Sequence, residues 1–116
     1  MIWVKEKDII KEWMHKGLRN QKIYLFLVKH NSIGNCCGAA GILNKNTYSI
    51  ALEKRSEKII AYTLIHELTH VCWYMFKKYN PKLRISKETL ALFNETYFWT
   101  ILYLYKYFMK KIRKDL

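Results

Sequence analysis

The 116-residue chain sets 21 Lys and Arg against nine acids, a formal charge of +12, with 51% hydrophobic residues but only four Gly and one Pro. That length supports one core and not two, so a single domain over residues 1–116 is expected, and the hydrophobic content excludes a disordered chain. Such a positive balance suits either a well-solvated surface or an anionic neighbour, which keeps nucleic acid on the basic surface among the candidate partners.

In chain order, the opening MIWVKEKDIIKEW places charges where a secretory leader needs an apolar run, which leads us to expect a cytoplasmic protein, in the host cytoplasm if the chain is phage-encoded. From Asp8 to about Gln21, Ile9, Ile10, Trp13, Met14 and Leu18 recur at helical spacing against Lys7, Lys11, Glu12, Lys16 and Arg19, predicting an amphipathic N-terminal helix with His15 on its surface. Ile23 to Val28 is a continuous β-rich run that reads as a buried strand ending near His30.

Cys37 to Leu43, Asn44-Lys45-Asn46 and Thr47 to Leu52 then read as a hairpin. The strands together predict a small antiparallel sheet. The three cysteines, Cys36, Cys37 and Cys72, are odd in number and lack zinc-ligand spacing, so they read as small buried side chains of a reduced protein.

After Leu52 the period becomes helical. Ser56 is the expected N-cap of a helix that stops near Lys77-Lys78-Tyr79-Asn80, ahead of Pro81, and a second long helix is expected from about Ser86 to Lys111. Its stretch Tyr97 to Tyr105 is apolar almost all round, but Glu95 and Lys106 bracket it too closely for a membrane span of roughly 20 residues. We therefore expect no transmembrane segment and read this helix as a core or homodimer element. The fold class is α+β: an N-terminal helix, a small antiparallel sheet with a hairpin, then two long helices.

The first long helix carries Leu64-Ile65-His66-Glu67-Leu68-Thr69-His70, two of the four histidines and one acid within an apolar run. Side chains four apart share a helix face, so His66 and His70 can grip one cation while Glu67 aims at a water beside it. Zinc suits such a pair because it takes imidazole nitrogens and makes a bound water acidic enough for a neighbouring carboxylate to deprotonate. The plainer reading is a pair of core histidines bonded to nearby polar groups.

A hydrolytic site needs a third protein ligand. No histidine follows His70, and Trp73 and Phe76 occupy positions that the extended motif with a third His would give to Gly and His. The acids beyond His70 are Glu88, Glu95 and Asp115. Strictly antiparallel helices would bring Glu95 level with His70.

His66-Glu67-Leu68-Thr69-His70, followed by Lys87-Glu88-Thr89-Leu90-Ala91, resembles the gluzincin metallopeptidases, and most of all the minimal single-domain zincin-like proteins of phages and bacteria. The resemblance spans about residues 36–100. It implies a zincin-like fold in which two long helices carry a zinc site, with His66, His70 and Glu88 as metal ligands, Glu67 as the catalytic base, and a peptide or protein as substrate. It also implies that the strand before the active-site helix, Thr47 to Leu52, pairs with extended substrate. The alternatives are a basic nucleic-acid-associated protein, either an SprT-like peptidase of DNA-bound proteins or an inactive zincin scaffold that binds or inhibits a partner.

Overall fold

The computed structural model describes residues 4–34 and 36–116. A short 3-10 turn at Glu6–Asp8 leads into strands β1 (Ile9–Leu18), β2 (Gln21–Val28), β3 (Gly38–Asn44) and β4 (Thr47–Glu53), then helices α1 (Glu57–Tyr79) and α2 (Lys87–Arg113). The class is α+β. One face of a single four-stranded sheet, in the order β1-β2-β4-β3, supports both helices. Among the described residues no helix is long and apolar enough to cross a membrane.

Two expectations about the sheet are corrected. The expected N-terminal helix is strand β1, paired antiparallel to β2 from Ile9↔Val28 to Leu18↔Gln21. The two are joined by a turn in which Arg19 and Asn20 take φ of 50° and 64°. Positive φ at both central residues is the turn whose twist matches a tight hairpin. Of the five residues behind the apparent helical period, Ile10 and Met14 stay exposed while Ile9, Trp13 and Leu18 are half-buried, and His15, expected on the surface, turns inward. Pairing with β2 outweighs a weak local preference, and the charges on Lys11, Glu12 and Lys16 suit a free edge.

The sheet is mixed rather than antiparallel. β2 and β4 run parallel, from Lys22↔Thr47 to Val28↔Glu53, because the chain leaves β2, crosses to the far edge as β3, and returns between them as β4. This places two buried strands at the centre: β2, whose run Ile23 to Val28 is apolar throughout, and β4, every residue of which is buried although Thr47, Ser49 and Glu53 are polar.

The core follows from strand alternation. Ile23, Leu25 and Leu27 of β2 and Tyr48, Ile50 and Leu52 of β4 face the helices, meeting Leu64, Leu68 and Val71 of α1 and Phe93, Leu104 and Phe108 of α2. On the other face Phe26, Val28 and Ala51 form a smaller cluster with Val4. Glu53, also buried, ties the chain after β2 to this layer: its Oε1 accepts from Arg55 at 2.8 Å and lies 3.5 Å from His30 Nδ1. Burial works to raise the Glu53 pKa, but the guanidinium, helped by the backbone N–H groups of Asn31 and Ile33, outweighs it and holds the carboxyl below its usual range.

Both helices start as expected. Ser56 Oγ accepts from Ile59 N and Ser86 Oγ from Thr89 N, so each caps its helix. At the end of α1 the Asn80 side chain donates to Phe76 O at 2.9 Å, satisfying a terminal carbonyl just before Pro81.

Candidate metal centre

α1 packs Leu64, Leu68 and Val71 onto the sheet, and that packing decides where the polar residues between them go. His66 and His70, one turn apart, stand on an exposed flank, whereas Glu67 is turned inward and buried. Their ligand atoms lie within 4.8 Å of one another.

The two Nε2 atoms are 3.1 Å apart, with ring centroids at 4.7 Å and planes at 74°. In such a contact one nitrogen donates and the other accepts, with the roles set by the tautomers. Two nitrogens bound to one tetrahedral zinc at about 2.0–2.1 Å stand roughly 3.3 Å apart. The pair therefore fits a divalent cation after a shift of only a few tenths of an ångström.

Burial pushes the Glu67 carboxyl above its ordinary value, with His66 and His70 opposing that rise. A carboxylate of raised proton affinity beside a two-nitrogen site is suited to accept a proton and hand it on.

Glu67 and His66 stand at one end of a cleft of about 480 Å³. One wall is Cys37 and Gly38 at the start of β3; the other is Lys58, Ile59, Tyr62 and Thr63 on the first turns of α1. A Cβ on Gly38 would lie 2.5 Å from Thr63 Cγ2 and 3.1 Å from the Ala51 carbonyl. Only glycine lets β3 approach α1 this closely one turn ahead of His66. The sequence offered no sign that Gly38 walls a cleft.

The remaining candidates lie elsewhere. Glu88 is exposed on the first turn of α2 and Glu95 exposed two turns on; neither joins the group formed by His66, Glu67 and His70. The reason is rotational: Thr89 and Phe93 supply the buried side of this part of α2, so Glu88 and Glu95 share its solvent side. The expected substrate strand also moves. Thr47 to Leu52 lies inside β4, bonded to β2 and β3 on its two sides, and the free edge near the cleft belongs to β3.

His15 is not on the surface. It is 6% exposed, its Nε2 lies 3.3 Å from Tyr103 Oη and its Nδ1 is buried with no partner. Of the cysteines, Cys72 is buried as expected, with burial pushing its thiol up to about 12, while Cys36 is exposed and Cys37 half-buried.

Compared with known protein families, characterised proteins and solved structures, the chain matches none.

Proposed function

We propose that the chain is a zinc-dependent peptidase that hydrolyses peptide bonds at the His66–Glu67–His70 group. The observation that carries this reading is the convergence of two imidazole nitrogens at 3.1 Å beside a buried carboxylate, at the end of a cleft. When bound, zinc supplies Lewis acidity, polarising a carbonyl and easing loss of a proton from water.

His66 and His70 hold the ion through Nε2. Glu67 takes the proton from the attacking water and passes it to the leaving amine, a role suited to its raised proton affinity. An extended peptide adds to the free edge of β3, and an apolar side chain of the substrate enters the cleft between Gly38 and Tyr62.

Glu88 is the third ligand in this proposal, supported by its place eighteen positions after His70. Its outward setting means that the first turn of α2 must reorient when the ion binds.

The test is metal content followed by cleavage. Purified protein should carry one zinc per chain, and Glu67→Gln should retain that zinc while losing hydrolysis of a mixed peptide library. Protein that takes up no zinc at micromolar concentrations, or a Glu67→Gln variant as active as the parent, ends the proposal. The charge of +12 favours a second reading, a protein that works on or beside nucleic acid. Binding to a duplex that weakens steeply as salt rises supports it, and no binding at low salt removes it.

A further inference from the structure

The α2 helix is amphipathic in an unusual sense: both of its sides are patterned. Phe93, Leu104 and Phe108 face the core. On the other side Leu92, Glu95, Trp99, Leu102 and Lys106 follow one another at alternating steps of three and four, the spacing of a helix-pairing seam.

Solvent reaches this seam throughout. Trp99 is 75% exposed and Leu92 44%; Glu95 and Lys106 are exposed and Leu102 is half-buried. Among the described residues neither Glu95 nor Lys106 makes an ion pair. An exposed tryptophan inside a regular apolar and charged repeat is a poor solvent surface and a good contact surface.

Charge order selects the occupant. We infer that α2 pairs antiparallel with α2 of a second copy of this chain, Trp99 packing on Leu102 of the second copy and Glu95 meeting Lys106 of the second copy. This register pairs Glu95, Trp99, Leu102 and Lys106 at once, because Glu95 to Trp99 and Leu102 to Lys106 are equal steps; Leu92 lies outside it, since the position opposite is Met109, buried in the core. A two-fold axis then repeats each contact, as an isologous dimer requires. Parallel pairing would instead set Glu95 on Glu95 and Lys106 on Lys106, two like-charge contacts in place of two ion pairs.

The seam is short: Glu95 to Lys106 covers about 17 Å of helix, so association is sought at concentrations from micromolar upward. Glu95 to Lys106 lie beyond the first turn of α2, the part that Glu88 would move on binding zinc, so none of these four side chains belongs to the His66–Glu67–His70 group.

The experiment is sedimentation equilibrium of the full chain from about 1 μM to 1 mM, with far-ultraviolet circular dichroism confirming that each variant is folded. The weight-average mass of the parent should rise toward twice the monomer. Trp99→Glu, a surface change that leaves the core intact, should hold the chain monomeric. Glu95→Lys and Lys106→Glu should each weaken association about tenfold, since each alters two symmetric contacts, and the double exchange should restore it. A parent that stays monomeric across the range, or a dimer indifferent to Trp99→Glu, overturns the inference. Failure of the double exchange to recover what the single changes lose overturns the antiparallel register.

Discussion

His66 and His70 stand on an open flank of α1, whereas His15 is sealed between β1 and α2. The first two bring their Nε2 atoms to within 3.1 Å, with a buried carboxylate alongside. The third leans one nitrogen on Tyr103 Oη, leaves the other without a partner and lies edge-on to the rings of Tyr103 and Tyr107. The side chain is the same, yet only the first arrangement combines converging ring nitrogens, an accessible side and a nearby proton acceptor. Convergence and access make a candidate site; a buried imidazole by itself makes a packing element with an electrostatic cost.

The sharpest way to break this contrast is at Glu67. If the open pair is a hydrolytic centre, Glu67→Gln should lower turnover by about 10²–10⁴-fold at unchanged zinc content, the range of a lost general base. His70→Ala should instead act on the metal. Structural zinc sites gain about 10–16 kcal/mol from four donors, so losing one costs about 3 kcal/mol, roughly a hundredfold in affinity by competition with a chelating dye. Glu88→Gln measured in the same way decides the third ligand: a comparable loss makes Glu88 a donor, and an unchanged affinity leaves the two imidazoles alone.

A smaller effect is expected at the cleft wall. Gly38→Ala drives a methyl group into Thr63 and the Ala51 carbonyl. Overpacking of this kind costs about 1–3 kcal/mol, visible as an earlier denaturant midpoint. Because β3 must then move away from α1, cleavage should fall even where the chain remains folded.

The smallest effect belongs to the sealed histidine. Burial lowers the His15 pKa below its ordinary 6.5, and the side chains facing it from α2 are Tyr103, Tyr107 and Phe108. The unfolded chain then binds the proton more readily than the folded one. The contribution of neutral His15 is therefore complete above pH 6.5 and declines as pH falls toward the folded-state pKa. Denaturant midpoints at about pH 8 and about pH 5 should show parent protein weaker at the acid end and His15→Phe with a flatter slope, the comparison cancelling the contribution of Glu53, which both proteins share. Equal slopes would mean that His15 is not sealed.

What was legible in the sequence is what short-range geometry controls. Ser56 and Ser86 marked both helix starts, Pro81 the break between them, Asn44-Lys45-Asn46 the β3–β4 turn, and the four-residue step from His66 to His70 put two imidazoles on one flank. Each depends on residues a turn or less apart, where bond geometry and a local hydrogen bond decide. The class was legible from the change of period after Leu52, and β2 for the related reason that a continuous apolar run, Ile23 to Val28, must be covered on both faces.

The tertiary structure alone decided the rest. β1 became a strand because β2 offered it a ladder, although its apolar spacing suited a helix. β4 went to the centre and β3 to the edge because the chain crosses over β2, and no local residue records that order. Glu88 and Glu95 turned outward because Thr89 and Phe93 had the better claim on the core. These outcomes rest on contacts between residues far apart in the chain, and burial of apolar area, which is non-directional, discriminates among them only once the competing surfaces meet.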